Sequence, residues 1–240
     1  MKVLVFCDKI TGLELIKTMP LDADEYMFVV GKRDRQLILT WLASKELKYF
    51  LIENFHFEIY EDSYFDWLLN LWGSHIFSGA ELRKARKSLN IHPGILPGAR
   101  GSNPVIHSML GQIKLGVTIH EIEEDIDSGD IYCLEEINSS TFITGGEAYE
   151  HVVESAISLF SKKWPEIKAG KCRQEQKGVV QGKLQTKKET EMLRTKNFEN
   201  LSSDEKSVVN WILTFQYNEN YTARIEYKGR IINLGAKVED

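Results

Sequence analysis

The chain has 240 residues, 42% of them hydrophobic and 27% charged, and 30 Lys and Arg stand against 35 Asp and Glu for a formal net charge of −5. This balance excludes a disordered or fibrous chain, and its acidic sign speaks against a protein whose main work is gripping nucleic acid. No run approaches the roughly 18 consecutive apolar residues of a spanning helix. The apolar run Val3–Cys7 is too short for a signal-peptide core. Cys7, Cys133 and Cys172 are too far apart to form a metal pair, and their odd number gives no disulfide framework. The expectation is a cytoplasmic protein with reduced thiols and with no membrane or nucleic-acid partner.

In chain order, Lys2–Cys7 (KVLVFC) reads as a buried strand, a short β-branched run ended by Asp8-Lys9. Tyr26–Val30 is a second strand. Asp34–Leu47 is a helix, with Leu37, Leu39, Trp41, Leu42 and Leu47 near helical spacing. Tyr49–Ile52 is a strand, and Asp62–Trp72 reads as a helix with Phe65, Leu68, Leu69 and Trp72 on one stripe. His75–Phe77 and Ser88–Ile91 are predicted strands around a helix at Ala80–Lys87. Strand and helix alternating at this spacing mean parallel βαβ units, a doubly wound Rossmann-like α/β sheet with helices on both faces. Leu115–Ile122 and Gly129–Ile137 are further strands, and Gly145–Ile167 is a long amphipathic helix. Lys168–Lys206 is polar, a meandering extension with little core of its own. A short helix at Glu205–Leu213 and a hairpin from Tyr221–Glu226 and Arg230–Leu234 close the chain. The expected division is a catalytic domain over 1–170 and an extension over 171–240.

Ligands on such sheets bind beyond the carboxyl ends of the strands, which directs attention to Asn90–Pro104 (NIHPGILPGARGSNP). Asn90 and His92 lie two apart on a strand, so their side chains project to the same side before Pro93-Gly94 ends the ladder. Read alone, this is equally a strand end that carries a histidine. The second stretch is Glu121–Ile131, where Glu121, Glu123, Glu124, Asp125, Asp127 and Asp130 crowd one inter-strand loop. Its spacing does not match a Ca²⁺ loop, and a solvated acidic loop with a turn at Asp127-Ser128-Gly129 explains it without a metal.

Together these segments resemble the formyltransferases that use N10-formyltetrahydrofolate. The resemblance rests on Asn90-Ile91-His92-Pro93, Leu96-Pro97, Arg100-Gly101, Gly116-Val117-Thr118-Ile119-His120 and Asp127-Ser128-Gly129, in that order. It implies a catalytic trio of Asn90, His92 and Asp127 and a formyl-folate donor. An amine attacks the formyl carbon, and Asn90 and His92 stabilise the oxyanion that develops. Asp127 carries the amine's proton toward the leaving nitrogen and, as a nearby carboxylate, favours the imidazolium form of His92. The resemblance also places the folate against the main chain of Ile76, Phe77, Ser78 and Gly79 and of Glu123, Glu124, Asp125 and Ile126. His120 reads as a packed, hydrogen-bonded strand histidine.

The family divides by acceptor amine. The turn after the first strand, Asp8-Lys9-Ile10-Thr11-Gly12, lacks the glycine-rich phosphate loop of glycinamide ribonucleotide transformylases. The chain is short and acidic for a methionyl-tRNA formyltransferase, and its first strand begins at Lys2, unlike the deformylases with their leading regulatory domain. In length, polar extension and closing hairpin it is similar to the sugar N-formyltransferases. That branch implies a dTDP-linked amino-dideoxy sugar, most like dTDP-4-amino-4,6-dideoxyglucose, made for O-antigens or related surface glycans. A 3-amino sugar nucleotide, another amine, or a folate-binding homologue without turnover are the alternatives. Lys9 and Arg100 are candidates for the pyrophosphate, and Trp211, Phe215 and Tyr217 for the thymine. The hairpin residues Tyr221, Ile225, Tyr227, Ile231 and Ile232 offer an apolar surface for a homodimer.

Overall fold

The computed structural model describes residues 1–172, 182–201, 203–218 and 220–236. Residues 173–181 and 202 of the polar extension, and 219 and 237–240 beyond it, lie outside the described residues. The chain divides into two compact units. The first comprises Met1–His92, Thr118–Leu134 and the described residues from Ala156 to Cys172; the second comprises Pro93–Val117, Glu135–Ser155 and the described residues from Gly182 to Ala236.

The elements of the first part are β1 (Lys2–Cys7), α1 (Ile10–Lys17), β2 (Glu25–Val30), α2 (Arg35–Ser44), β3 (Tyr49–Leu51), β4 (Phe65–Leu71), α3 (Gly79–Leu82) and β5 (Ala85–His92). They are followed by α4 (Pro104–Met109), β6 (Leu115–His120), β7 (Ile131–Ile137) and α5 (Gly145–Lys168). The main sheet has seven strands in the order β3-β2-β1-β4-β5-β6-β7. From β3 to β5 the pairs are parallel, as expected, but β6 runs antiparallel to β5, with Asn90 opposite His120. The sheet is therefore mixed.

Strands β1 and β2 are buried from their second residue onward. A strand covered on both faces needs no polar alternation, which is why KVLVFC and YMFVV read as near-continuous apolar runs. The same physics overturns the expected helix at Asp62–Trp72. Its Phe65–Leu71 is β4, beside β1 in the sheet, with Trp67 opposite Val3 and Leu69 opposite Val5. Leu68, Leu69 and Leu71 are wholly buried. Spacing that resembles a helical stripe is thus a run that buries both faces. Asp66 pins the register by accepting from the Lys2 N–H at 2.9 Å.

His75–Phe77 is loop rather than strand, and the helix expected over Ala80–Lys87 shrinks to α3. Ser78 caps α3 in a reciprocal box with Glu81. Beyond it, pairing of Ala85 and Lys87 with β4 draws the chain into β5. The helix α1 was not anticipated. It approaches β4 so closely that a Cβ on Gly12 would lie 2.6 Å from the Leu71 carbonyl oxygen. Under the sheet, Phe6, Phe57, Phe65 and Phe77 pack with Leu4, Met27, Val29 and Leu68.

The second unit has its own core. After α5 come α6 (Lys187–Arg194), β8 (Thr195–Asn197), α7 (Glu205–Thr214), β9 (Ala223–Tyr227) and β10 (Arg230–Leu234). β8, β9 and β10 form a three-stranded sheet, in which β9 and β10 are the expected hairpin. Ile106, Trp211, Phe215, Ala223 and Ile225 form the core, with Leu193 and Leu201 against it. The expectation of a polar stretch with little core is corrected here. α6 begins in a second capping box, Thr186 with Glu189, and contributes the buried Thr190 and Arg194.

Candidate active site

The carboxyl ends of β1, β4 and β5 carry the polar side chains. Just beyond β1, the buried Asp8 accepts from the Arg33 N–H at 2.6 Å and from the Ser74 hydroxyl at 2.7 Å. One carboxylate thereby ties three loops of the strand-end edge. Lys9 follows it, half-buried, at φ 79°, with its N–H on the Arg33 carbonyl.

Asn90 and His92 leave β5 on the same side, as their spacing requires. The loop after β6 brings Asp127 to them. Its Oδ2 lies 3.4 Å from His92 Nδ1, and its Oδ1 lies 3.6 Å from His120 Nε2. Asp127 adopts φ 51°, a left-handed conformation that Asp tolerates better than most residues. The loop is closed by the Glu121 N–H donating to the Asp130 carbonyl at 2.8 Å. A Cβ on Gly129 would lie 2.0 Å from the Glu121 carbonyl oxygen, so the closure needs glycine there. Ser88 of β5 anchors the start of the loop, accepting from the Ile122 N–H and donating to the Ile122 carbonyl.

A chain of hydrogen bonds orients Asn90. His120 Nδ1 lies 2.7 Å from the Glu121 carbonyl oxygen, which can only accept, so Nδ1 carries the proton. Burial pushes the His120 imidazole down to about 4, outweighing the pull of Asp127, with nearby His92 pushing the same way. The ring is therefore neutral, and its Nε2 accepts from Asn90 Nδ2 at 3.0 Å. Asn90 Oδ1 then accepts from Asn70 Nδ2, also at 3.0 Å. His120 is the packed histidine expected, and it also touches the trio. Asn70 was missed, because its stretch read as a surface helix.

The two loops expected to border the folate meet. A Cβ on Gly79 would lie 1.5 Å from Glu124 Oε1. Phe77 is buried in the aromatic cluster beside His75 and Phe6, whereas Ile76 is 70% exposed and Ile126 38% exposed. Ser78 and Glu81 fix the first loop, and the Ser128 hydroxyl on the Asp125 carbonyl steadies the second. Exposed apolar side chains beside turn backbone suit a flat heterocycle with hydrogen-bonding edges, so the residues present fit a folate.

The remaining candidates lie in the second unit. Arg100 is buried, and its carbonyl accepts from the Gln185 N–H. Trp211 and Phe215 are corrected as thymine platforms. They are 3% and 0% exposed, and the Trp211 indole N–H donates to the Leu193 carbonyl at 2.8 Å, so both serve the core. Tyr217 sits at the edge of that core against Tyr149 and Tyr221, and burial pushes its phenol up. Of the hairpin residues, Ile225 is buried, whereas Tyr227, Ile231 and Ile232 are exposed.

Among the described residues no helix is long and apolar enough to cross a membrane, and no group of three His, Cys, Asp or Glu could hold a metal ion.

Residues 74–164, which hold the trio and both loops, match the formyl transferase family model. More particularly, the chain is similar to the dTDP-4-amino-4,6-dideoxyglucose formyltransferase of Mycobacterium bovis, 31% identical over 108 residues, which are 45% of this chain and 46% of that protein. The chain thus spans about half the length of the curated relatives it matches. The fold is that of a 4-N formyltransferase from Francisella tularensis, with a TM-score of 0.84 at 17% identity over 100% of this chain and 98% of that one. An N-formyltransferase from Helicobacter canadensis, solved in complex with folinic acid and dTDP-3-aminofucose, superposes with a TM-score of 0.74 at 19% identity over 95% of this chain and 84% of that one.

Proposed function

We propose that the protein is a sugar N-formyltransferase, moving a formyl group from N10-formyltetrahydrofolate to the amine of a dTDP-linked amino-dideoxy sugar, dTDP-4-amino-4,6-dideoxyglucose in the first instance. The observation that carries this reading is the convergence of Asn90, His92 and Asp127 inside the segment that matches the formyl transferase family model. The likeness to the mycobacterial relative supports the 4-amino sugar. The reading includes a role in O-antigen or surface-glycan synthesis in the cytoplasm, with catalysis in residues 1–170. Residues 171–240 then supply substrate contacts and, through Tyr227, Ile231 and Ile232, a homodimer surface.

The donor, held between 76–79 and 123–126, supplies an electrophilic formyl carbon and a nitrogen that leaves. One Asn90 N–H is held by His120, and the other is free to meet the formyl oxygen as negative charge grows there. His92 adds a second donor at the same end of β5. Asp127, braced on His92, takes the proton that the attacking amine loses on forming its C–N bond. It returns that proton to the departing nitrogen. In the first unit Lys9 is the candidate cation for the pyrophosphate; in the second, Arg100 is a candidate cation and Tyr217 the remaining thymine candidate.

The test is release of tetrahydrofolate from N10-formyltetrahydrofolate with a panel of amines: dTDP-4-amino-4,6-dideoxyglucose, its galacto epimer, dTDP-3-amino-3,6-dideoxy sugars and glycinamide ribonucleotide. Turnover is expected with a dTDP-sugar, and Asn90→Ala, His92→Ala and Asp127→Ala should each lower it by about 10²- to 10⁴-fold while melting stays cooperative. Turnover with no sugar nucleotide, or full activity in any of the three variants, would overturn the reading.

A further inference from the structure

Asn70 lies near the carboxyl end of the buried strand β4, where a polar side chain is costly unless it is partnered. It is 8% exposed. Its Nδ2 donates to Asn90 Oδ1 at 3.0 Å and reaches the Gly73 carbonyl at 3.5 Å, yet its own Oδ1 is buried with no hydrogen-bond partner among the described residues. The fold also makes room for it. A Cβ on Gly73 would stand 2.1 Å from Asn70 Oδ1, so only glycine at 73 admits the carboxamide in this position. A leucine or valine would bury as well and would leave no orphaned oxygen. The strand tolerates the orphan, and what it obtains is a donor aimed at Asn90.

That donor settles an ambiguity. A carboxamide can turn over and exchange its oxygen for its nitrogen, since the two ends are nearly the same shape. Were Asn90 reversed, a carbonyl rather than an N–H would face the formyl oxygen, and two negative ends would meet. Three groups around Asn90 forbid the reversal. The Glu121 carbonyl accepts from His120 Nδ1–H; His120 Nε2 then accepts from Asn90 Nδ2; Asn90 Oδ1 is left to accept; and Asn70 Nδ2 supplies the donor. Asp127 and His92 are the charged and titratable groups beside His120.

We infer that Asn70 is a positioning residue, locking the Asn90 carboxamide with its N–H toward the reacting carbonyl. This rests on the proposed formyl transfer and adds a residue to it.

The experiment measures kcat, KM for each substrate, melting temperature and the ratio of variant to wild-type kcat against pH, in the full chain. Asn70→Leu removes the donor and the orphaned oxygen together. Its kcat should fall about 10- to 100-fold, the scale of a misplaced catalytic group, with both KM values little changed and no loss of melting temperature. Asn70→Asp presents an acceptor when ionised and a donor when protonated. Its kcat relative to wild type should therefore be low at neutral pH and recover as the pH falls. In the same variant at neutral pH, the ¹⁵N resonances of His120 should report loss of the single Nδ1–H tautomer, a readout that needs no turnover. Gly73→Ala, which displaces the Asn70 carboxamide without altering it, should copy Asn70→Leu. If wild type transfers formyl while Asn70→Leu and Asn70→Asp match it in kcat and pH profile, the inference fails and the proposed function stands. If wild type transfers formyl to no amine, the proposed function fails, and the inference fails too if the His120 resonances of Asn70→Asp are those of wild type.

Discussion

Gly129→Ala tests how tightly the Asp127 loop is held. The new Cβ would sit 2.0 Å from the Glu121 carbonyl oxygen and 2.7 Å from its carbon. Ordinary van der Waals contact begins near 3.4 Å, and both obstacles are backbone, so the loop must open by roughly an ångström or more. The opening strains the Glu121–Asp130 hydrogen bond and carries Asp127 away from His92. Overpacking of this kind costs about 1–3 kcal/mol in stability, and an ångström of misplacement costs about 10²-fold in rate. The assay pairs urea unfolding with initial rates of formyl transfer. Gly98→Ala is the control, because among the described residues nothing there comes nearer an added Cβ than 3.6 Å. It should be neutral or stabilising by about 0.4–1 kcal/mol. Gly129→Ala with wild-type rate and stability would refute the reasoning, since the close approach would then not position Asp127.

Two further expectations concern stability. The folded His120 imidazole is held down to about 4 from its ordinary 6.5, so between those values the unfolded chain binds the extra proton. Stability should therefore fall as the pH drops through that window, and His120→Gln should flatten this part of the melting-temperature profile; an unchanged slope would show that His120 does not titrate this way. Arg194 is 3% exposed, its Nε donates to the Thr222 carbonyl at 2.6 Å and its guanidinium lies 3.9 Å over the Tyr221 ring. Arg194→Ala should cost about 2–4 kcal/mol in chemical denaturation, and Arg194→Lys should recover only part, because an ammonium cannot both stack and reach the carbonyl.

The sequence displayed some of this plainly and concealed the rest for identifiable reasons. β1, β2 and the hairpin were legible because a short β-branched run, or a pair of runs around Lys228-Gly229, has one good backbone solution. Phe65–Leu71 was not, since Phe65, Leu68, Leu69 and Trp72 fit a helix stripe as well as Phe65–Leu71 fits a doubly buried strand, and only the neighbours β1 and β5 decide. The shared direction of Asn90 and His92 could be read from their two-residue spacing, whereas their grouping with Asp127 rested on the family likeness. Asn70 lay hidden by the strand error, because a polar residue on a presumed surface helix draws no notice. Trp211 and Phe215 failed in the opposite direction. An aromatic in a polar tail suggests a ligand platform until the tail proves to have a core for it.

The site separates two kinds of work between groups that differ in charge. Asn70, Asn90 and His120 are uncharged near neutral pH and settle geometry, each fixed by the next back to the Glu121 carbonyl. In the proposed reaction proton transfer falls to Asp127, which lies 3.4 Å from His92. Protonating His120 removes the acceptor that holds Asn90 Nδ2, and burial postpones that event to about 4. The acid loss of stability should therefore follow His120, and His120→Gln should flatten it. A loss of the same size in that variant would mean that protonation of this imidazole does not set it.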